Sequence, residues 1–472
     1  MTTIQRSTPR RPRARRDIFL LALLLVACSE FNGVNLPDPG PGEPGPGEPG
    51  PDPGPVPVPS RLAFQVHPTA VQAGVVISPA VEVSVLDDTG SLATDFAGDV
   101  TVRLDANPGG ASLSGATTVD AVDGVAVFAD LRLDAAASGY RLAAEADGLT
   151  GVTSQAFNVF TPGGGDAAPV ALTDMGARTY FGFPGGLYPG GNEPPTAHRN
   201  AGLDFAAEVQ RRDTNGNPSA SGRYVLISIG MSNTAQEFCA AQGPCNGWTF
   251  AGQAAADPGV GQGLTLINGA LSSQTAPDWE RPQQPNYDRI LTDLLTPAGL
   301  SEDQVQAAWL KVANSQPSVS LPDPNADVYQ LAESIGNIVR TLKVRYPNIK
   351  QVFISSRIYG GYATTGTNPE PYAYETGLAV KWVIEAQIEQ MAGGGVDPLV
   401  GDLNYDTVAP WLGWAAYMWA DGENARSDGL TWVRGDFVND GTHPSTAGET
   451  KVGAMLLDFF GTSPFTTPWF VQ

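Results

Sequence analysis

Hydrophobic and polar positions follow two different rhythms along this chain. Between residues 61 and 160, short segments mostly alternate in polarity. They include Leu62-Ala63-Phe64-Gln65-Val66, Val81-Glu82-Val83-Ser84-Val85, Val100-Thr101-Val102-Arg103-Leu104, Val125-Ala126-Val127-Phe128 and Tyr140-Arg141-Leu142-Ala143-Ala144. A strand turns successive side chains to opposite faces, so this rhythm predicts half-buried strands. Turns such as Asp87-Asp88-Thr89-Gly90 and Asn107-Pro108-Gly109-Gly110 separate them, giving the pattern of an all-β sandwich. After Gly163-Gly164-Gly165 the rhythm changes. Continuous apolar runs at 224–229, 263–267, 307–312 and 351–355 predict strands covered on both faces, and helical patterns fall at 287–295, 328–345, 374–391 and 446–460. That arrangement predicts a three-layer α/β domain with a mostly parallel sheet, whose sites lie beyond the carboxyl ends of the strands.

The N-terminal segment follows neither rhythm. Arg10-Arg11-Pro12-Arg13-Ala14-Arg15-Arg16 is a positive region, and residues 18–27 form a short apolar core. A core of that length is too short to span a bilayer, which takes about 20 apolar residues, and it reads as a targeting signal. Leu25-Val26-Ala27-Cys28 closes it and resembles a bacterial lipoprotein signal. The resemblance implies that Cys28 is lipidated as the first mature residue, and an acylated Cys carries enough buried CH₂ groups for stable anchoring. An ordinary secretory signal with a chance Cys is the other reading. Residues 28–60 are rich in Pro and Gly, as in Pro37-Asp38-Pro39-Gly40-Pro41-Gly42-Glu43-Pro44-Gly45, and predict a semi-extended acidic spacer. The expected organisation is therefore a signal at 1–27, a linker at 28–60, a β-sandwich at 61–160, a linker and domain start at 161–222, and an α/β domain at 223–472.

Charge and cysteine content narrow the class. The net charge is −22 over 472 residues; without the first 27, 21 basic residues face 48 acidic ones, or −27. A body that acidic repels nucleic acid and anionic lipid faces, so neither is an expected partner. With Cys28 assigned to lipid, Cys239 and Cys245 remain as an even pair across a Gly-Pro turn. In an exported protein such a pair predicts a small-loop disulfide; a metal pair would need His or Cys partners that the neighbouring sequence lacks. Asp213-Thr214-Asn215-Gly216-Asn217 has a calcium-loop flavour without the downstream Glu, and reads as a turn. No metal or cofactor is implied.

The candidate chemistry lies in two places. Val225-Leu226-Ile227-Ser228-Ile229-Gly230-Met231-Ser232-Asn233 runs an apolar strand into Gly-x-Ser, and Asp440-Gly441-Thr442-His443-Pro444 sets a carboxylate and an imidazole three residues apart on a loop before a helix. A hydroxyl needs a base to take its proton before it attacks an ester at neutral pH, and a carboxylate orients that base. A nucleophile at a strand-to-helix turn also projects into the crevice beside helix N-terminal amides. Each residue has a plainer reading. Ser232 also suits a helix cap, Asp436 competes with Asp440 as the carboxylate partner, and His443 also reads as a structural histidine. His67 belongs to a strand end, and His198 to an exposed Pro- and Gly-rich stretch. The aromatics Trp411, Trp414, Tyr417, Trp419 and Trp432 read first as core, with sugar stacking as the alternative.

Four blocks together resemble the SGNH (GDSL-like) hydrolase superfamily: Gly230-Met231-Ser232-Asn233, Asn268-Gly269-Ala270, Val312-Ala313-Asn314 and Asp440-x-x-His443 followed by Pro-Ser. The first is similar to the Gly-Gln-Ser-Asn form of carbohydrate acetylesterase branches, with Met at the second position. The third lacks the family's Gly-x-Asn-Asp. The resemblance implies a flavodoxin-like α/β fold, Ser232 as nucleophile, His443 as base and Asp440 as its orienter. It also implies an oxyanion hole from the Ser232 and Gly269 amides with the Asn314 side chain; Asn314 otherwise reads as a turn residue. The segment 61–160, through Leu62-Ala63-Phe64-Gln65-Val66-His67-Pro68 and Gly139-Tyr140-Arg141-Leu142, resembles bacterial immunoglobulin-like surface domains, without a Cys–Trp–Cys core. The expected protein is an exported, lipid-anchored envelope esterase acting on an acylated substrate, with an acetylated glycan as the implied class. The alternative is a surface binding or adhesion protein that keeps the fold without turnover.

Overall fold

The computed structural model describes residues 58–472 apart from 69–70, 78–79, 161–167 and 241–243. The predicted signal, Cys28 and nearly all of the predicted spacer lie outside the described residues.

Alternating residues build two sheets over one core, antiparallel except for one edge pairing. Strands β1 (Arg61–Val66), β2 (Val81–Leu86) and, further on, Val125–Phe128 form one sheet. The other contains β3 (Asp99–Ala106), β4 (Ala137–Glu145) and β5 (Phe157–Phe160). The apolar positions of both meet inside: Leu62, Val83 and Phe128 from the first sheet pack with Val100, Leu142 and Val159 from the second. Their polar alternates face out, where Arg103 of β3 pairs with Glu145 of β4 at 2.7 Å. After β1 the chain changes sheets, and Val71–Gln72 pairs in parallel with β5. The buried Tyr140 hydroxyl donates to the Ala135 carbonyl at 2.8 Å, tying the start of β4 to the turn before it.

Residues from 168 onward belong to the α/β domain. Within 161–222, the segment expected as a linker and domain start, Leu172, Tyr180, Phe183 and Tyr188 are buried in its core. Helix α1 (Thr196–Glu208) follows. The sheet consists of β6 (Tyr224–Gly230), β7 (Leu264–Ile267), β8 (Val305–Lys311), β9 (Gln351–Ile354) and β10 (Trp411–Trp414). All pairings are parallel, in the order β7-β6-β8-β9-β10. This is the doubly wound order whose direction of winding reverses beside the first strand, opening a crevice at the carboxyl ends.

The continuous apolar runs are buried on both faces. Val225, Ile227 and Ile229 enter one core with α4 (Asp327–Arg345) and α5 (Tyr372–Met391). Leu226 enters the other, with α2 (Ser232–Phe238), α3 (Phe250–Ala256) and α6 (Thr446–Thr462). Alternate residues of β8, β9 and β10 divide in the same way. The aromatic tract is core: Trp411, Trp414, Tyr417, Trp419 and Trp432 are all buried, so sugar stacking by them is excluded. Trp411–Trp414 supplies the fifth strand. His198, expected at the surface, is buried against the Trp411 ring with its Nε2 at 2.8 Å from the Leu412 carbonyl. Asp213 closes an Asx turn by accepting from the Asn215 and Asn217 amides, as its sequence predicts.

Candidate active site

The first loop of the site is fixed by a glycine. Gly230 ends β6 with φ of 152°, and a Cβ there would lie 2.1 Å from the Lys311 carbonyl oxygen. Only Gly lets the chain pass so near β8 in that conformation. Met231 is extended, α2 begins at Ser232, and Thr234 hydroxyl donates to the Lys311 carbonyl at 2.6 Å. The strand therefore becomes a helix within two residues, at the reversal point of the sheet, with Ser232 at the turn.

The second loop is held from several sides. The Val438 amide donates to the His443 carbonyl and the Gly441 amide to the Val438 carbonyl, both at 3.0 Å. Gly441 has φ of 68°, and a Cβ would collide with the Tyr362 carbonyl at 1.8 Å. The Asp440 carbonyl accepts from the Thr364 amide at 2.9 Å. Its side-chain Oδ1 accepts from the Thr442 and His443 amides at 2.9 and 3.0 Å.

The two loops bring three side chains into a line. Ser232 Oγ lies 2.7 Å from His443 Nε2, and His443 Nδ1 lies 2.6 Å from Asp440 Oδ2. With Asp440 accepting from Nδ1–H, Nε2 carries a lone pair toward the serine hydroxyl. Burial opposes the charge on Asp440, but hydrogen bonds from the His443 backbone and ring and from the Thr442 amide outweigh it. They hold the carboxyl below its usual range, so it is an anion at neutral pH. The N-cap residue of α2 is Met231, not Ser232, and the Ser232 hydroxyl meets His443 Nε2 instead. Asp436 is committed elsewhere, to Lys451 Nζ at 2.6 Å and the Val433 amide at 2.9 Å. Asp440 is the carboxylate on His443.

Two of the three expected oxyanion donors are hydrogen-bonded elsewhere. The Gly269 amide donates back to the Ile267 carbonyl at 3.0 Å, and its own carbonyl accepts from Arg289 Nη2. The chain passes close to β6 after β7: a Cβ on Gly269 would lie 2.5 Å from the Ser228 carbonyl oxygen. The Asn314 Nδ2 donates to the Asp327 carbonyl at 2.7 Å, and Oδ1 is buried with no hydrogen-bond partner among the described residues. It lines a cavity of about 10 Å³ with Asp327, Asn368 and Glu375, which does not include Ser232. The Ser232 amide remains: at the first helical position it has no carbonyl one turn back within α2.

Charged groups beneath the loops carried little signal in the sequence. Lys311 ends β8 and binds both oxygens of Glu237 on α2 at 2.6 Å, with both side chains fully buried. Burial lowers the Lys311 amine to about 8 against the attraction of Glu237. Arg357, three residues past β9, is also buried. Desolvation lowers its guanidinium to about 10, leaving a cation at neutral pH. A charged residue closing an apolar strand was the available clue to Lys311. The predicted disulfide is present between Cys239 and Cys245, directly after α2.

No protein-family model matches this chain, and no curated protein matches it. Solved structures resemble it at low identity. A β-glycosidase from Bacteroides vulgatus is 16% identical over 22% of this chain and 14% of its own, with a TM-score of 0.18. A Parabacteroides merdae chain described as a GDSL-like lipase is 11% identical over 54% of this chain and 99% of its own, with a TM-score of 0.29. A carbohydrate esterase family 2 enzyme with a carbohydrate-binding domain, from Corynascus thermopiles (Myceliophthora fergusii), is 12% identical. That match covers 85% of this chain and 100% of the other, with a TM-score of 0.28. This chain spans only 14% of the length of the glycosidase, and 12% of that of a Parabacteroides merdae β-glucuronidase.

Proposed function

We propose that the α/β domain is an SGNH-type serine esterase. The observation that carries this reading is the unbroken line from Ser232 Oγ through His443 to Asp440, with links of 2.7 and 2.6 Å. Ser232 Oγ attacks the acyl carbonyl as His443 takes its proton, and the leaving alcohol departs with that proton. Water, activated by the same imidazole, then cleaves the acyl-serine and regenerates both groups. The acyl group as acetyl, and a glycan as its bearer, rest on the resemblance of Gly230-Met231-Ser232-Asn233 to acetylesterase motifs.

The same reading makes residues 61–160 an immunoglobulin-like stalk module. Its support is the sheet change at Val71–Gln72, parallel to β5, and the Tyr140–Ala135 bond, which has the form of a tyrosine corner. The anchor is a lipid on Cys28 in the cell envelope. A Cys28→Ala variant that stays tightly on membranes would refute that part.

The orientation of Gly269 and Asn314 favours a second reading, a binding domain that keeps the array without turnover. A fluorophosphonate probe separates the two. The esterase labels in the wild type, fails to label in Ser232→Ala, and turns over p-nitrophenyl acetate. A wild-type protein that neither labels nor turns over the ester is not an esterase.

A further inference from the structure

The residues on either side of Ser232 and the residue before His443 converge on one buried cation. Arg357 Nη1 lies 3.3 Å from Asn233 Oδ1 and 3.7 Å from Met231 Sδ. Its Nη2 lies 3.5 Å from the Thr442 carbonyl oxygen, which also accepts from Asn233 Nδ2 at 3.0 Å. The Arg357 side chain is 1% exposed, and its backbone amide is fixed by the Thr376 hydroxyl at 2.9 Å. Among the described residues no carboxylate forms an ion pair with it; Glu237, Glu370 and Asp440 act on it only through space, and Lys311 is a nearby like charge.

A desolvated guanidinium without a paired carboxylate is costly. What it gains in return is a fork that reaches two loops brought together from opposite ends of the domain. One loop carries the nucleophile after β6, and the other carries the base some two hundred residues later. The Ser232–His443 link is only as constant as the distance between these loops. A shift of about 1 Å in such an alignment costs on the order of 10² in rate.

We propose that Arg357 is a positioning residue that clamps the nucleophile loop to the base loop through Asn233, Met231 and the Thr442 carbonyl. Its hydrogen bonds go to Asn233, Met231 and Thr442 rather than to the three side chains in the line, and it acts by holding Ser232 and His443 in register. The proposal rests on the esterase reading. A Lys at this position keeps the charge but loses the fork that spans both loops, while Met keeps most of the volume and loses both.

The test is steady-state hydrolysis of p-nitrophenyl acetate by the full chain, with fluorophosphonate labelling rates alongside. In Arg357→Met, kcat and the labelling rate should fall together by about 10²-fold while KM stays within roughly threefold, the signature of a lost alignment rather than lost binding. Arg357→Lys should recover part of the loss. Wild-type kcat in a folded Arg357→Met protein, a rise confined to KM, or no recovery with Lys would each overturn the clamp. Asn233→Leu removes the carboxamide that bridges the guanidinium and Thr442, and should reproduce the kcat loss even if Arg357→Met does not fold; unchanged kcat there would overturn the clamp as well. Failure of the wild type itself to label refutes the esterase reading instead, so the two failures are distinguishable.

Discussion

The Cβ that Gly230 lacks would sit 2.1 Å from the carbonyl oxygen of Lys311. The same position would meet Thr234 Oγ1 at 2.6 Å, and the backbone there has φ of 152°. A methyl group therefore forces β6 away from β8 at the point where the nucleophile loop starts. Gly230→Ala should cost about 1–3 kcal/mol from strain and overpacking. Activity should fall further than stability alone explains, because Ser232 is two residues away. Thermal unfolding and kcat measured on the same preparation check this; a variant with wild-type values for both would show that the loop relaxes freely.

The carboxylate partner of His443 is open to a direct comparison. Asp440→Asn removes the anion that fixes the ring at Nδ1, and should lower kcat on the order of 10⁴-fold, as neutralising a triad carboxylate does. Asp436→Asn should leave kcat near wild type and lower stability by about 1 kcal/mol, since Asp436 binds Lys451 and the Val433 amide. Equal kcat losses in the two variants would remove Asp440 from its assigned role.

Much of the scaffold was legible because burial and periodicity are local properties. The apolar run at 224–229 is β6, and the helical pattern at 328–345 is α4 within one residue. Helix α1 leaves no hydrophobic stripe in the sequence, because its inward positions include His198, Gly202 and Ala206. Gly202 is needed there, as a Cβ would meet the Trp411 ring at 2.5 Å. Strand β10 was hidden within an aromatic tract whose four strand residues give no rhythm. In the site, Asp440 and His443 are three residues apart, so their pairing follows from spacing alone. The Gly269 amide depends on how the chain curls after β7, and the Asn314 side chain on where α4 begins. Neither leaves a mark on a short motif.

The pair between Lys311 and Glu237 makes a separate prediction. Both side chains are fully buried, and they join the end of β8 to the helix that starts with Ser232. Removing one partner leaves an isolated buried charge, which costs about 3–5 kcal/mol. Lys311→Met alone should therefore destabilise strongly, and Lys311→Met with Glu237→Leu should recover most of the loss. Urea unfolding of the two single variants and the double variant forms a cycle that reads the coupling. Additive losses would mean that the two groups do not depend on each other.

Glu375 gives the fold a pH dependence with a definite sign. Burial raises its carboxyl to about 8 from an ordinary 4.5, against hydrogen bonds from the Leu321 amide and the Tyr180 hydroxyl. Its Oε2 is buried with no hydrogen-bond partner among the described residues. The folded state then holds the proton more tightly than the unfolded chain does. Its stabilising contribution is complete below about pH 4.5 and is lost progressively as the pH rises through about 8. Glu375→Gln keeps the shape and cannot ionise, so its stability should change less than that of the wild type across this window. The difference between the two proteins should grow with pH and level off above about 8. Chemical unfolding from pH 5 to 9, on the order of the window set by the shift, reads it directly. A constant difference between wild type and Glu375→Gln would show that this carboxyl ionises normally in the folded protein.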